Sequence, residues 1–438
     1  MKNCETLLKA RYVLTQDAAR TVLENAAVAV DHGRIIGVGP RDAVAYDADD
    51  VRDLGDAMLL PGLVNAHTHA AMTFLRGVAD DLPLLEWLEQ KIFPLEANLT
   101  ADIVRTSSLL GFAEMLCTGT TACQDMYLFE GDVLDSARRA GIRCLAGEGV
   151  FLFPSASCKD WRQALDLTRE RARELSRDER LAVAVCPHSV YTTDEEILRA
   201  CRDISEKEGL RLHIHLAETR DETERCLAAY KERPVERCER LGLLDVPCTL
   251  AHVVDVTDDE LDVLARHPLA TVVHNPSSNM KLGSGAAPVP AMLERGVTVA
   301  LGTDGPASNN QLNMFAEMGR AALLHKTNGK PTVTPAQKVF DMATLAGAKA
   351  LGMKEAGRII AGAPADIIAL DLNAPNMRPM YNPVSHAIYA ATGHETLMTM
   401  VNGEILYDRG RFTRFNYEDL CDEMDGIRDF VRKKAGLI

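Results

Sequence analysis

Long hydrophobic runs and clusters of basic residues are both missing from this chain of 438 residues. No segment offers the ~18 consecutive apolar residues of a membrane-spanning helix, and the stretch MKNCETLLKARYVLTQDAAR lacks the apolar core of a secretory signal. The formal net charge of −15 opposes binding to a polyanion, which requires clustered lysine and arginine. These absences predict a cytoplasmic protein that binds neither a membrane nor a nucleic acid polymer.

Paired cysteines are also missing, although the chain contains 11 cysteines. They are scattered and never form a Cys-x-x-Cys motif, so the sequence indicates neither a thiolate zinc site nor a disulfide framework. We expect buried, reduced thiols, including Cys186, which lies two residues before a candidate site histidine.

The pattern that is present is an alternation of short apolar, β-branched runs with amphipathic helical segments. The runs lie at residues 59–67, 120–126, 142–147, 181–188, 211–218, 248–254, 270–276 and 297–304. Helix start signals lie between them, such as Thr100 and the capping-box spacings Thr193 to Glu196 and Thr257 to Glu260. No glycine-rich dinucleotide fingerprint follows the first run, which disfavours an open doubly wound sheet. The predicted fold class is therefore α/β, a closed parallel (β/α)8 barrel of the TIM type.

The two ends of the chain show a different pattern, with short alternating runs separated by turns. These runs lie in residues 1–58 and 358–410, and include AAVAVDHGRIIGVG and RIIAGAPADIIALD. We expect them to pair into one small β-sandwich domain beside the barrel of residues 59–357. Residues 411–438 are predicted to form a C-terminal helix.

Two histidines in the segment PGLVNAHTHAAM, His67 and His69, lie one residue apart at the end of the first run. In an extended strand both side chains point to the same face, so the two imidazoles can converge. An isolated pair of this kind is commonly ordinary surface histidine. Here six of the 12 histidines lie at predicted ends of barrel strands, where such barrels hold their reactive groups: His67, His69, His188, His215, His252 and His274.

Carboxylates share these strand ends, with Glu218 in the fifth run and Asp304 in the eighth. Three imidazoles and one carboxylate suit a borderline metal such as Zn²⁺, with one position left for water. The predicted metal ligands are His67, His69, His215 and Asp304. His213 has the same strand parity as His215 but lies deeper, and is predicted to be a core or supporting group.

Four segments together resemble the metal-dependent amidohydrolase superfamily: PGLVNAHTH, HLAET, HNPSSNMKLGSG and LGTDGPASNNQLNMF. More narrowly, they are similar to its methylthioadenosine/S-adenosylhomocysteine deaminase and chlorohydrolase-like branch, which includes aminodeoxyfutalosine deaminases. The resemblance spans roughly residues 5–410. It implies the four ligands named above, Glu218 as a proton-shuttling carboxylate, Glu96 and His188 as substrate-holding groups, and His252 beside the activated water.

The resemblance also bears on the number of metal ions. The two-metal branch of the superfamily needs a bridging, carboxylated lysine near the fourth strand, where this chain reads CPHSV. We therefore predict one divalent metal ion per chain. Zn²⁺ is the first choice, and iron and manganese are left open.

The chemistry follows from charge. A bound divalent ion lowers the pKa of its water from roughly 15.7 to about 7. Asp304 and His252 can then take a proton, while the Glu218 carboxyl protonates a ring nitrogen of an aminopurine as C6 is attacked. The hypothesis is a hydrolytic deaminase that converts the 6-amino group of an adenosine derivative to the inosine derivative and releases ammonia. The expected substrates are 5′-methylthioadenosine, adenosine and S-adenosylhomocysteine.

Other residues in the motifs have two readings each. Trp87 and Phe93, in LLEWLEQKIFPLE, line the entrance over a nucleoside or pack between helices. Asn279 and Lys281 belong to a loop at the barrel mouth or to a plain connection, and the tendency of loops at that end to carry function favours the first reading.

The loop after the third strand departs from the family pattern. Family members often carry an arginine there for a substrate carboxylate or ribose, but this chain reads GEGVFLFPSASCKDW. Glu148 is expected to border the 5′ substituent and to disfavour S-adenosylhomocysteine by at least ~10-fold through charge repulsion. Lys159 and Arg162 are alternative partners for a substrate carboxylate.

Several other functions stay open at this point. Aminodeoxyfutalosine, guanine and triazine are alternative substrates on the same fold. A binuclear hydrolase of cyclic amides would need the missing lysine, and a catalytically silent binding scaffold would not need the full set of ligands. A homodimer is the default expectation for the oligomeric state.

Overall fold

The computed structural model describes residues 2–436, and its first strands come from the N-terminal segment. They are β1 (Lys2–Leu14), β2 (Val22–Asp31), β3 (Arg34–Pro40), β4 (Tyr46–Asp53) and β5 (Ala57–Pro61). β1 and β2 pair antiparallel, while β4 and β5 both run parallel to β1. Only Gly62 separates β5 from the next strand, so this small sheet leads directly into the barrel.

The eight predicted runs all form strands of one parallel barrel. They are β6 (Leu63–Thr68), β7 (Thr120–Tyr127), β8 (Arg143–Val150), β9 (Leu181–Pro187), β10 (Arg211–Leu216), β11 (Cys248–His252), β12 (Ala270–His274) and β13 (Thr298–Leu301). They pair in chain order from β6 to β13. The ends of the sheet meet where the Asn65 amide donates to Thr303 Oγ1 at 2.7 Å. The predicted TIM-type barrel is confirmed.

The C-terminal segment adds four strands to the N-terminal sheet. They are β14 (Ile367–Asp371), β15 (Thr396–Val401), β16 (Glu404–Asp408) and β17 (Arg411–Phe412). β14 pairs with β5, which makes one mixed sheet of nine strands. Leu8, Ile35 and Met400, from three different strands, pack in one buried cluster. The predicted small β-domain from both chain ends is confirmed, whereas its boundaries stay predictions.

Helices cover the outside of the barrel and form its connections. The α-helices are α1 (Leu84–Trp87), α2 (Phe93–Glu96), α3 (Ala101–Cys117), α4 (Glu130–Ala140), α5 (Trp161–Glu174), α6 (Glu195–Glu208), α7 (Arg220–Tyr230), α8 (Pro234–Arg240), α9 (Asp258–Arg266), α10 (Pro276–Lys281), α11 (Val289–Glu294), α12 (Met314–Leu324), α13 (Ala336–Asp341), α14 (Gly347–Ala350), α15 (Pro383–Ser385) and α16 (Tyr417–Lys434). Short 3-10 helices lie at Ala70–Leu75, Leu243–Asp245, His325–Asn328 and Pro375–Met377, and π-helical turns at Leu88–Ile92, Met342–Ala346 and His386–Ala390. None of the helices within residues 2–436 has both the length and the apolarity to cross a membrane.

The helix starts test the predicted caps. Thr257 accepts from the Glu260 amide at 3.2 Å, and Glu260 accepts from the Thr257 amide at 3.0 Å, so this capping box is confirmed. The box predicted at Thr193 is wrong, because Asp194 caps α6 by accepting from the Ile197 amide at 2.9 Å. The C-terminal helix begins at Tyr417 rather than at residue 411, because Arg411 and Phe412 pair with β16.

Candidate active site

The four predicted metal ligands meet at the carboxyl-terminal end of the barrel. His67 lies in β6, His69 follows it, His215 lies in β10 and Asp304 follows β13. Asp304 Oδ1 lies 3.3 Å from His67 Nε2 and 3.1 Å from His69 Nε2. His215 Nε2 lies 3.3 Å from His69 Nε2. His67, His69 and Asp304 offer ligand atoms close enough to share one small ion, and His215 adjoins this cluster through His69.

The outer nitrogen of each ligand histidine is held by a hydrogen-bond acceptor. Nδ1 of His215 donates to the His188 carbonyl at 2.8 Å, and Nδ1 of His69 donates to the Met126 carbonyl. A carbonyl only accepts, so both rings carry a proton on Nδ1, which leaves Nε2 as the nitrogen that can offer a lone pair to a metal ion. This is the arrangement that supporting groups impose on metal-binding histidines.

Nδ1 of His67 is also protonated, and a series of hydrogen bonds between buried polar groups determines this. Thr249 Oγ1 donates to Gln124 Oε1 at 3.1 Å and accepts from His213 Nδ1 at 2.6 Å. His213 Nε2 is then an acceptor for His67 Nδ1 at 2.8 Å. The fully buried His67 Nε2 has no hydrogen-bond partner among the described residues. A buried lone pair without a donor fits a metal ion.

Burial and neighbouring charges set the protonation states of these groups. Burial lowers the pKa of His69, but the Asp304 carboxylate outweighs burial and raises it to about 9, so a metal ion would have to displace a proton from His69. Burial lowers the pKa of His67 to about 4, and burial lowers the pKa of His215 well below its usual value. Burial alone would raise the pKa of Asp304, but the adjacent imidazoles of His67 and His69 outweigh burial and hold that pKa well below normal. Neutral imidazoles and an ionised carboxylate are the protonation states in which these side chains bind metals.

Backbone strain is concentrated at two of the site residues. His252 has φ of 77° and Asp304 has φ of 62°, both in the left-handed region that residues with a side chain rarely adopt. The Ser278 and Ser308 hydroxyls donate to Asp304 Oδ2 at 2.6 and 3.0 Å, and so hold its second oxygen. Strain of this kind persists where surrounding contacts determine the conformation, and it clusters at functional sites.

Glu218 and His252 lie next to the ligand cluster. Glu218 Oε2 is 3.7 Å from His252 Nε2, and burial raises the pKa of Glu218. The other carboxylate oxygen accepts from Ser284 Oγ at 3.4 Å. Asn279 Oδ1 lies 2.8 Å from His252 Nδ1 and accepts its hydrogen. Asn279 is therefore a buried group that orients His252, and not part of an open loop.

A cavity opens onto this cluster. Its lining includes Trp87, Phe93, Glu96 and His188, so the structure brings these predicted site residues together. Tyr127 donates its hydroxyl hydrogen to Glu96 Oε1 at 2.7 Å. Burial raises the pKa of Glu96 and lowers the pKa of His188 to about 3. The cavity combines hydrogen-bonding groups with an apolar wall.

The structure does not bring Glu148 into this cavity, so its predicted contact with a 5′ substituent is wrong. Gly149 lines the cavity, whereas Glu148, one residue earlier in β8, points to the opposite face of the strand. Its carboxylate accepts from the amides of Phe129 at 3.2 Å and Glu130 at 2.9 Å, and from the Ser157 hydroxyl. Charge repulsion by Glu148 therefore cannot explain the predicted discrimination against S-adenosylhomocysteine.

The basic residues considered for this region also lie elsewhere. Lys159 is exposed, and Arg162 is exposed and paired with Glu196 at 2.8 Å. Lys281 contacts Asp80 and Asn310. His274 is fully buried in β12 and does not line the cavity.

Sequence reasoning missed several groups that position the site. Glu222 accepts from the amides of Ala217 at 3.0 Å and Glu218 at 2.8 Å, and so fixes the turn that carries Glu218. Ser278 and Ser308 were also missed, although both stand inside the quoted motifs HNPSSNMKLGSG and LGTDGPASNNQLNMF. The hydroxyl groups of these two serines, inside motifs already singled out, were the signal that could have indicated their role.

Comparison with known proteins is consistent along the whole chain. Residues 58–406 match the profile of the amidohydrolase family. The 5-methylthioadenosine/S-adenosylhomocysteine deaminase of Desulfovibrio desulfuricans is 59% identical over 440 residues, covering 100% of both chains. The protein of the same name from Lawsonia intracellularis is 52% identical and covers 99% of both chains.

Solved structures agree with this match. A crystal structure of an adenosine deaminase from Xanthomonas campestris with bound zinc has a TM-score of 0.96 at 35% identity, covering 99% of each chain. An atrazine chlorohydrolase from Arthrobacter aurescens, with a TM-score of 0.89 at 22% identity and covering 97% and 100% of the two chains, shares the fold. The resemblance carried by the motifs is confirmed: the chain belongs to the amidohydrolase family, a family of metal-dependent enzymes.

Proposed function

We propose that the protein is a hydrolytic deaminase of adenosine derivatives, which replaces the 6-amino group of a small purine nucleoside by oxygen and releases ammonia. The observation that carries this proposal is that Glu218 and His252 face the same cavity as three of the ligand side chains, those of His69, His215 and Asp304. The names of the relatives at 52–59% identity support the same reaction and the substrates 5′-methylthioadenosine and S-adenosylhomocysteine.

One divalent ion per chain completes the site in this proposal. The ligands are Nε2 of His67, His69 and His215 and the carboxylate of Asp304. A divalent ion supplies activated water at neutral pH and needs no strong base for it. Zinc is the proposed ion, since the 35% identical adenosine deaminase structure contains it. No lysine lines the cavity in the described part of the chain, which supports a mononuclear centre.

The side chains of the protein handle the protons. Asp304 and His252 Nε2 accept a proton from the attacking water. The Glu218 carboxyl gives its proton to a ring nitrogen beside C6, which relieves the negative charge that builds on the ring as the carbon becomes tetrahedral. The base then passes the proton that it took from the water to the amino group, ammonia leaves as the C6–N bond breaks, and the proton of the remaining C6 hydroxyl returns to Glu218. The raised pKa of Glu218 favours the protonated form that this role requires.

Other groups hold the nucleoside. Glu96 is a hydrogen-bond acceptor suited to ribose hydroxyls. His188 lies between the ligand cluster and the aromatic wall of the cavity, and its ring centroid is 4.8 Å from that of His215. Trp87 is 5% exposed, lines the cavity and offers a flat apolar surface for the purine. A homo-oligomeric assembly stays a prediction.

The proposal is tested by ammonia release and metal content. Protein stripped by a chelator is expected to lose adenosine deamination and to regain it with one equivalent of zinc per chain. Full activity in demonstrably metal-free protein would contradict the metal-dependent reaction. Two tightly bound equivalents would favour a binuclear centre. Exclusive turnover of guanine, a triazine or aminodeoxyfutalosine would reassign the substrate, and absence of both metal and turnover would favour the silent scaffold.

A further inference from the structure

A second cavity, open to solvent, adjoins the active-site cavity. The two cavities share Phe93, Glu96, Leu128 and Phe151, while the four ligand side chains line only the first cavity or lie beneath it. A nucleoside with its reacting carbon at Asp304 and its ribose at Glu96 therefore directs its 5′ end toward the second cavity.

Aromatic rings form a continuous wall along this path. The Phe151 ring centroid lies 4.8 Å from that of His188 and 5.3 Å from that of Phe153. The Phe153 ring lies 6.2 Å from that of Phe93, so three phenylalanines surround the passage. These separations are typical of packed aromatic pairs. Phe153 is 42% exposed, which places it at the outer rim of the wall.

The wall has no positive partner for a charged substituent. Within residues 2–436, neither lysine nor arginine lines either cavity. The boundary carboxylate, Glu96, already accepts from Tyr127 and is assigned to the ribose. A substrate carboxylate entering here would lose hydration and gain no ion pair, which is unfavourable.

We infer that the second cavity is the subsite for the 5′ substituent and that it selects uncharged thioether or other apolar groups, with Phe93, Phe151 and Phe153 as the specificity-determining side chains. This inference rests on the proposed function and narrows its substrate class. Binding of an apolar 5′ group is favourable because the group displaces water from the aromatic wall. The amino-acid end of S-adenosylhomocysteine carries an ammonium and a carboxylate, and the wall pairs with neither.

The test compares kcat/KM of the zinc-loaded protein for adenosine, 5′-methylthioadenosine, 5′-benzylthioadenosine and S-adenosylhomocysteine. We expect both neutral thioethers to exceed S-adenosylhomocysteine by at least ~10-fold, within the range by which one pocket contact separates substrates. Dissociation constants measured by calorimetry on the Glu218→Gln protein should follow the same order, which separates binding from chemistry.

Substitutions at the rim give a second readout. Phe153→Ala should lower kcat/KM for 5′-benzylthioadenosine several-fold more than it lowers kcat/KM for adenosine. Phe153→Arg should raise the ratio of S-adenosylhomocysteine to 5′-methylthioadenosine by about 10-fold, because the guanidinium can pair with the carboxylate. Leu152→Ala is the matched control, since Leu152 is 59% exposed and lines neither cavity.

Each outcome decides between the two proposals. Turnover of adenosine together with equal or better use of S-adenosylhomocysteine would overturn the apolar subsite and leave the deaminase proposal intact. Identical selectivity in the Phe153→Ala and Leu152→Ala proteins would also overturn it. Failure to deaminate any adenosine derivative would overturn the proposed function, and the subsite with it.

Discussion

Nδ1 of His67 lies 2.8 Å from Nε2 of His213, so a ligand histidine is held by a second histidine deeper in the barrel. The Thr249 hydroxyl lies 2.6 Å from the far nitrogen of His213 and donates its own hydrogen onward. In this series of hydrogen bonds His67 donates from Nδ1, so its Nε2 keeps a free lone pair at the site. The protonation state of a metal ligand is thus determined two side chains away.

Replacing His213 tests this control of the ligand. His213→Leu keeps the site buried but removes the acceptor for His67 Nδ1, so we expect metal affinity to fall by ~10–100-fold, the usual cost of losing a supporting group. Competition with a chelator of known zinc affinity measures it. His325→Leu, a substitution of another buried histidine, is the matched control. Equal zinc affinity in the two variants would show that His213 acts only in packing.

The barrel, and the strand-end cluster that we propose as its ligand set, could be placed from the sequence because their signals are local. Side chains of a strand alternate with a period of two, and the reactive groups of such barrels lie at strand ends, so His67 and His215 could be placed from nearby residues alone. The same alternation could have placed Glu148 correctly. Glycines on both sides of it leave the inner face of β8 open, and the carboxylate belongs to the outer face.

The groups that refine the site were not predictable in the same way. Asn279 orients His252 from 27 positions away, and Ser278 holds Asp304 from 26 positions away. These contacts depend on how the loops fold back over the barrel end, which no local period encodes. The apolar wall around Phe153 likewise required two connections to meet, the helical segment of residues 84–96 and the loop that follows β8.

Glu218 is predicted to act in proton transfer and not in metal binding. Glu218→Gln keeps the shape of the side chain but removes its exchangeable proton, so kcat should fall by ~10²–10⁴-fold while the zinc content stays at one equivalent. Metal analysis and steady-state deamination of adenosine measure the two quantities. Near-normal kcat with zinc bound would place the proton shuttle elsewhere.

Glu148 is predicted to contribute to stability and not to substrate choice. Its carboxylate accepts amide hydrogens from Phe129 and Glu130 at the start of α4. Glu148→Ala leaves these buried donors unpaired, so the free energy of unfolding should fall by about 1–3 kcal/mol. Urea unfolding measures this loss. The ratio of kcat/KM for S-adenosylhomocysteine to that for 5′-methylthioadenosine should stay at its wild-type value, and a rise in that ratio would return Glu148 to the substrate site.

Glu130 gives the protein a stability that depends on pH. It is 3% exposed, and its carboxyl group faces that of Asp125. Burial, together with the charges of Asp125 and Glu148, raises the pKa of Glu130 well above its usual value of 4.5. Burial also raises the pKa of Asp125, to about 6. The folded protein therefore keeps protons that the unfolded chain loses.

A group whose pKa is raised by folding loses its stabilising contribution as pH rises from its unfolded pKa to its folded pKa. Ionisation of Glu130 in the unfolded chain above pH 4.5 thus lowers the free energy of unfolding, by up to ~1.4 kcal/mol per pH unit for a single group. Glu130→Gln removes this ionisation and still offers Asp125 a hydrogen-bond donor. The variant should become more stable than wild type as pH rises from 5 to 8, when both are unfolded by urea in metal-free form. Glu170→Gln, at an exposed position of α5, is the matched control. A stability difference between Glu130→Gln and wild type that does not change with pH would show that Glu130 is ionised in the folded protein.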